Sequence, residues 1–274
     1  MASSKKNYIN TLAIIASLGG FLFGYDTAVI SGTINFVSTQ FHLDAISTGW
    51  YVSSALVGCI TGVAMAGVLS DKYGRKKVLI LSALFFGVSA VGCTFAIGFN
   101  DLVFYRFVGG LGIGVASMVS PLYISELSPA HKRGRLVALY QFAITIGILC
   151  SYFSNAYLLK LSQSETFAQS TGTVYQIMVS EVWRIMLGTS AIPAILFLVL
   201  LQIVPESPRW LTIQNRETEA LTILHKIVND EEAQKEMNDI KSNLARESGG
   251  LSIVFKGSFR LPMLIGISLA FLTQ

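Results

Sequence analysis

The sequence predicts an all-α membrane protein, and its composition, run lengths and periodicity each point to that class. Hydrophobic residues make up 52% of the 274 and charged residues 13%, with a mean hydropathy of +0.58. Ordinary soluble domains are less apolar and about twice as charged. The hydrophobic runs are long enough to cross a hydrocarbon core of about 30 Å as helices of about 20 residues. They also lack the period of two that the strands of a membrane barrel require.

Six complete spans follow from these runs, and a seventh begins near Phe259. The six spans cover residues 8–32, 47–69, 78–99, 102–124, 136–158 and 182–204. We therefore divide the chain into a six-helix transmembrane bundle at 1–204, a linker domain at 205–257 and the start of span seven at 258–274. The linker is polar with helical periodicity, which predicts short amphipathic cytoplasmic helices. A passive linker is the alternative.

The distribution of charge predicts how the protein is oriented. Most of the 20 Lys and Arg residues lie at the amino terminus or in the segments after spans two, four and six. By the positive-inside rule these segments are cytoplasmic, so we expect a multi-pass protein of the cell (inner) membrane with a cytoplasmic amino terminus. The opening MASSKK resembles the start of a signal peptide, but the apolar stretch behind it is too long, which predicts a retained first span. Topology accounts for the net charge of +4, so no nucleic-acid partner is implied.

The positions of the cysteines, histidines and glycines argue against metal binding, disulfide formation, nucleotide binding and catalysis. Cys59, Cys93 and Cys150 stand at unrelated spacings within spans, and the three histidines are scattered. No metal site, cofactor or disulfide is therefore predicted. The glycine-rich GGLGIG at 109–114 lies inside a span and follows no strand, unlike a nucleotide-binding loop. Since no set of nucleophile, base or metal ligands emerges either, we predict that the protein is not an enzyme.

Two charged residues lie well inside predicted spans. Asp26 ends the stretch FLFGYD about 18 residues into the first span, about 27 Å along the helix. Arg106 lies about four residues, or about 6 Å, below the outer start of the fourth span. A lone charge in a membrane is costly, so we expect the two to form a pair. Asp26 then takes and releases a proton while Arg106 favours its ionised form. The structural alternative is an ion pair that only pins spans one and four together.

Three segments on the predicted cytoplasmic side each combine an acid with an arginine. Their sequences are GVLSDKYGRKK at 67–77, SELSPAHKRGR at 125–135 and PESPRWL at 205–211. The positive-inside bias explains the basic residues but not the acidic ones beside them. We predict a cytoplasmic gate of ion pairs that form and break between helical bundles. Its members are Asp71 with Arg75, Glu126 with Arg135, and Glu206 with Arg209.

Taken together, the motifs resemble the successive signatures of the sugar porter family of the major facilitator superfamily, with the greatest likeness to its bacterial D-xylose:proton symporters. The motifs are FGYD, SDKYGRKK, YRFVGG, PLYISELSPAHKRG, QFAITIG and PESPRWL. The resemblance implies a six-helix N-terminal bundle of two three-helix inverted repeats. Family members have twelve spans, so it also implies that this chain is the N-terminal half and that a second six-helix bundle completes the transporter.

The resemblance also implies roles for single residues. In proton-coupled members the aspartate of FGYD takes the proton and the arginine of span four is its partner, which here are Asp26 and Arg106. The implied sugar contacts are Phe23 and Gln141, and Gln274 falls near a glutamine-rich stretch of span seven that also serves the sugar. Gln141 has an interhelical hydrogen bond as its alternative role. Where xylose symporters carry a second glutamine this chain has an isoleucine at position 148, so the identity of the sugar stays open.

The resulting hypothesis is secondary active transport. A sugar, pentose or hexose and xylose-like, would move together with a proton by alternating access between two bundles. The implied partners are the sugar, protons and the lipid bilayer. One alternative is an uncoupled facilitative sugar transporter, whose members tend to carry an uncharged residue at the position of Asp26. Another is a membrane sugar sensor that does not transport, against which the short amino-terminal tail argues.

Overall fold

The computed structural model describes residues 2–164, 172, 175–246, 261, 264, 265 and 268. Within these ranges the regular elements are helices, and six of the helical segments are long and apolar enough to cross a membrane. The helices are α1 (Ala2–Gln40), α2 (Ala45–Tyr73), α3 (Arg75–Phe95), α4 (Phe99–Leu127), α5 (Arg133–Ser162), α6 (Val182–Gly188), α7 (Ala191–Ile203), α8 (Pro208–Ile213), α9 (Glu217–Ile227) and α10 (Asp230–Arg246). A short π-helical turn, Gln176–Ser180, precedes α6. The predicted all-α fold and its six spans are confirmed.

The sixth predicted span is broken into α6 and α7. Thr189 and Ser190 lie in the turn between the two helices. Pro193, in the first turn of α7, has no N–H with which to continue the helical ladder to the carbonyl oxygen of Thr189. That oxygen instead accepts a bond from the amide of Ile192 at 3.1 Å. A proline is thus the local cause of a break that leaves two hydroxyl-bearing residues in the middle of a span.

Small residues allow the helices at the centre of the bundle to approach each other closely. α4 packs most extensively against α2 and α3, and α1 against α5. Gly58 and Gly62 of α2 face the backbone of α4, and Gly110 and Gly114 of α4 face the backbone of α2. A Cβ atom added at any of these glycines would collide with backbone atoms of the other helix. Glycines spaced four residues apart create such flat contact surfaces in membrane helices.

The contact between α1 and α5 is built in the same way. Gly24 of α1 faces the backbone of Ile144, and Gly147 of α5 faces the backbone of Phe21. Large apolar side chains on the outer faces of α2, α5 and α7 remain exposed, as expected for surfaces that meet lipid. The bundle is therefore held by close backbone packing inside and presents an apolar surface outside.

The segment after the sixth span contains the three short helices α8, α9 and α10. Ala220 and Leu224 of α9 and Met237 of α10 are buried, in agreement with the predicted amphipathic faces. The Lys5 Nζ atom donates to the carbonyl oxygen of Val228 at 2.6 Å, so the start of α1 is tied to the end of α9. Residues 247–257 lie outside the described residues, as does nearly all of the predicted start of span seven.

Candidate functional site

The two charges predicted to pair inside the membrane do so. The Arg106 Nη1 atom donates to Asp26 Oδ1 at 2.7 Å, which joins α4 to α1. Gly109, three residues after Arg106, lets Ser89 of α3 pack directly against α4. Of the two side chains, 12% of Asp26 and 4% of Arg106 is exposed. Asp26 is therefore the more exposed member of the pair.

A small group of buried polar side chains surrounds the ion pair. Tyr51 of α2 and Cys93 of α3 interact electrostatically with both Asp26 and Arg106. The Tyr51 hydroxyl lies 2.7 Å from the Thr33 hydroxyl of α1, and neither residue is exposed. Sequence reasoning did not assign these three residues to the site. Of the three, only Thr33 could have been linked to the site from the sequence, because it lies seven residues after Asp26 and so on the same face of α1.

The sixth span holds α1 at two levels. At the break between α6 and α7, the Thr189 hydroxyl lies 2.8 Å from that of Tyr25, the residue before the buried aspartate. Towards the end of α1, the Gln40 side chain donates to Glu181 and accepts from the Trp183 indole, each at 2.7 Å. These contacts set the position of the C-terminal half of α1, and with it that of the ion pair.

The predicted sugar contacts lie at one level of the bundle on adjacent helices. Phe23 of α1 is half-buried, whereas Gln141 of α5 is exposed. The close backbone contacts of Gly20 with Tyr140 and of Gly24 with Ile144 bracket the two residues. Within the described part of the chain the Gln141 side chain makes no hydrogen bond to another helix, so it is available to a ligand. The third predicted contact, at position 274, lies outside the described residues.

Arg75, the first residue of α3, is the centre of a network on the basic side of the bundle. Its guanidinium group donates to both carboxylate oxygens of Glu126, at 2.9 Å each. It also contacts Asp71 at 3.1 Å and the carbonyl oxygen of Ser70 at 2.9 Å. The Ser207 hydroxyl donates to Glu126 at 2.5 Å. The network therefore joins the turn between α2 and α3 to the end of α4 and the start of α8 through a bidentate, charge-assisted pair.

Glu206 caps the amino terminus of α3. Its carboxylate accepts bonds from the backbone amides of Arg75 at 3.0 Å, Lys76 at 3.1 Å and Ser207 at 2.9 Å. A carboxylate is stabilised at a helix amino terminus by these free amides. Burial raises the pKa of Glu206, and the amide bonds and the nearby Arg75 oppose that shift. Gly74, with φ of +93°, makes the contact possible, because a Cβ atom there would collide with the carboxylate.

Of the six predicted gate residues, Asp71, Arg75, Glu126 and Glu206 come together in the contacts described above. Arg135 is exposed on the first turn of α5 and makes no ion pair within the described ranges. Its predicted partner Glu126 pairs with Arg75 instead, because the fold places the start of α3 beside the end of α4. Arg209 of α8 lines a cavity of about 530 Å³ together with Glu126.

Comparisons with known proteins agree with this geometry. The structure of the proton:xylose symporter XylE of the major facilitator superfamily, bound to 6-bromo-6-deoxy-D-glucose, matches with a TM-score of 0.79 and 38% identity, over 91% of this chain and 56% of that one. The fold and its six apolar helices thus define a multi-pass membrane protein of the major facilitator class. The chain belongs to the "Sugar (and other) transporter" family, whose model matches residues 12–274. Members of this family are transporters and not enzymes.

The names of two curated relatives state the sugar that each one transports. The arabinose-proton symporter of Bacillus subtilis (strain 168) is 38% identical over 99% of this chain and 56% of its own length. The D-xylose-proton symporter of Escherichia coli (strain K12) is 39% identical over 91% of this chain and 54% of its own length. The chain spans about half the length of the curated relatives it matches.

Proposed function

We propose that this chain forms the proton-coupling bundle of a sugar:proton symporter that works by alternating access. The observation that carries the proposal is the buried pair of Asp26 and Arg106, 2.7 Å apart. A buried pair of this kind stabilises a fold little better than well-packed apolar residues would. Ionisable residues inside a membrane bundle more often mark proton or substrate pathways. The sugar is of the pentose or hexose class, in line with the arabinose and D-xylose of the symporter relatives.

The pair couples proton binding to movement through its charge. A proton on Asp26 cancels the carboxylate charge and weakens the bond to Arg106, which loosens the contact between α1 and α4. Arg106 favours the ionised form of Asp26 whereas burial opposes it. The proton affinity therefore changes whenever the conformational cycle alters the distance or the burial of the pair. A difference in proton affinity between the outward and inward states is what links sugar movement to a proton gradient.

The network around Arg75 is the proposed gate on the cytoplasmic side. The network is intact when the sugar-binding cavity between the two bundles faces outward and broken when that cavity faces inward, so it biases the equilibrium between these states. Asp71, Glu126 and Glu206 contribute through the contacts described above. Arg135 and Arg209 extend the positive charge at the same side of the bundle.

Sugar recognition in this bundle rests on Phe23 and Gln141. An aromatic ring packs on the C–H surface of a sugar, and an amide offers both a donor and an acceptor to its hydroxyls. Gln274 is the proposed first contact from beyond the six-helix bundle. In this proposal residues 1–204 form the bundle, 205–257 the cytoplasmic linker domain and 258–274 the start of span seven. The bundle lies in the inner membrane with a cytoplasmic amino terminus, because the basic residues gather on that side.

The substitution Asp26→Asn tests the coupling role, because it keeps the shape of the side chain and removes its titratable charge. In proteoliposomes holding the full-length protein, exchange of labelled D-xylose, arabinose or glucose between equal pools is expected to survive. Accumulation of the same sugar in response to an imposed proton gradient is expected to be lost. The matched control is Asp44→Asn, since Asp44 is an exposed cap of α2 whose Oδ1 accepts from the Ser47 amide at 2.8 Å, and asparagine caps a helix equally well.

The outcomes separate the alternatives. An Asp26→Asn variant that still accumulates sugar would reduce the pair to a structural contact between α1 and α4. Equilibration of sugar without accumulation by the unaltered protein would identify an uncoupled facilitator. Sugar binding with no exchange in either protein would identify a sensor.

A further inference from the structure

Arg106 has hydrogen-bonding capacity that Asp26 does not use. Only its Nη1 atom bonds to the Asp26 carboxylate. Its Nε atom is fully buried and has no hydrogen-bond partner among the residues that the structure describes. Buried donors in folded proteins are almost always paired, so an unpaired one indicates a function or an arrangement that changes. The Nε–H group is an unused donor at the centre of the candidate proton site.

Tyr51 offers the complementary unused acceptor. The Thr33 hydroxyl donates its single proton to the carbonyl oxygen of Ile30 at 2.9 Å. The 2.7 Å bond between the Thr33 and Tyr51 hydroxyls must then use the proton of Tyr51, because a hydroxyl carries only one. The Tyr51 oxygen keeps a free lone pair, and the residue is fully buried. It also lies close enough to Arg106 for the two to interact electrostatically.

We infer that Arg106 turns to the Tyr51 hydroxyl oxygen when Asp26 takes up its proton, which makes Tyr51 a positioning residue for proton coupling. The inference rests on the proposed function, since it requires Asp26 to titrate during transport. In the ionised state Asp26 holds the guanidinium group through Nη1. Once Asp26 is neutral, the buried cation needs another acceptor, and the free lone pair of Tyr51 supplies one within the same cluster. Thr33 holds the Tyr51 proton away from Arg106 and keeps that lone pair available.

Other groups near the pair do not offer the same acceptor. Cys93 of α3 interacts with both members of the pair and Cys59 of α2 with Asp26, and a thiol sulfur is a weak acceptor. Tyr25 of α1 is engaged with Thr189 at the break in the sixth span. From α5, the Asn155 amide group donates to the carbonyl oxygen of Val29 at 3.1 Å.

The test is Tyr51→Phe, which removes the acceptor oxygen and leaves the ring. Initial rates of uptake of labelled D-xylose, arabinose and glucose are measured against external pH at fixed internal pH, in proteoliposomes holding the full-length protein. Without the acceptor the protonated state of the site is less favourable, so the midpoint of the pH profile is expected to move by about one unit to lower pH. The matched control is Tyr140→Phe, which removes another buried hydroxyl, one that has no partner, and should leave the midpoint unchanged.

Variants at Thr33 keep the inference testable if Tyr51→Phe does not reach the membrane. Thr33→Val leaves the ring of Tyr51 in place but frees its proton to point towards Arg106, so the midpoint should again move to lower pH. Thr33→Ser keeps the hydroxyl and should restore the original midpoint. An unchanged midpoint in both Tyr51→Phe and Thr33→Val, with coupled uptake in the unaltered protein, would overturn the role of Tyr51. Absence of coupled uptake in the unaltered protein would overturn the proposed function and this inference with it.

Discussion

Glu126→Gln removes the negative charge from the centre of the network on the basic side. In the structure Glu126 accepts two bonds of 2.9 Å from Arg75, and the exposed fractions of the two side chains are only 4% and 5%. The substitution leaves the Arg75 guanidinium group with the ion pair to Asp71, whose side chain is 74% exposed, and with the nearby carboxylate of Glu206, which accepts the Arg75 backbone amide. Solvent screens the pair with Asp71, so it compensates only in part.

The expected loss of stability follows from this geometry. Removing one partner of a buried ion pair costs about 3–5 kcal/mol, because the other charge is left without compensation. Glutamine keeps one carbonyl oxygen that still accepts one of the two bonds from Arg75, and Asp71 supplies a further contact. We therefore expect the free energy of unfolding to fall by about 2–3 kcal/mol. Because the network is proposed to exist only in the outward-facing state, the population of inward-facing conformers should also rise.

Two measurements on the full-length protein in detergent check this expectation. Denaturant titration gives the free energy of unfolding, and distances between spin labels on the basic side give the conformer populations. The matched control is Glu219→Gln, which breaks an exposed pair of 2.7 Å with Arg216 and should cost no more than about 0.5 kcal/mol. Equal stability losses in the two variants would show that Arg75 does not depend on Glu126. Unchanged conformer populations would remove the gating role.

Three further predictions address recognition, titration and packing. Gln141→Ala should weaken sugar binding about tenfold in a ligand titration, through one lost hydroxyl contact, with the unfolding free energy unchanged since the side chain is exposed. Burial raises the pKa of Glu206 above 4.5. Between the pKa of the unfolded chain and that of the folded state, the folded protein keeps a proton that the unfolded chain releases. The free energy of unfolding therefore falls as pH rises through this interval. Glu206→Gln should therefore gain stability relative to the parent from about pH 4.5 upward, and a difference that is constant with pH would contradict this. Gly24→Ala should cost about 1–3 kcal/mol, because its Cβ meets the Ile144 carbonyl, whereas Gly87→Ala, in open space, should not destabilise the fold.

Part of the site could be predicted from the sequence because it depends on properties that can be counted along the chain, such as run length and position within a helix. Hydrophobic run length sets the six spans, and the side on which the Lys and Arg residues gather predicts the orientation. Depth along a helix is also linear in sequence, since each residue adds about 1.5 Å. Two lone charges at matching depths, Asp26 and Arg106, could therefore be paired before their helices were known to be neighbours.

The network on the basic side could be predicted in most of its members but in only one of its ion pairs, Asp71 with Arg75. The sequence placed acids beside arginines within each segment, and so paired Glu126 with Arg135. In the structure the partner of Glu126 is Arg75, 51 residues away in the chain. Which acid of one segment meets which arginine of another depends on the helix ends that the fold brings together, and spacing within a segment carries no information about that.

Tyr51 belongs to the candidate site only through the tertiary structure. A tyrosine in an apolar run is by itself an ordinary core residue, and nothing in its local sequence shows which helix it faces. The close glycine contact between α2 and α4 sets the distance between the helices, and the rotation of α2 turns Tyr51 towards Arg106. The sequence by itself determines which residues lie within the membrane, because membrane insertion follows local hydrophobicity. Only helix packing decides which buried polar atoms meet, because hydrogen bonds depend on distances of a few ångströms between separate helices.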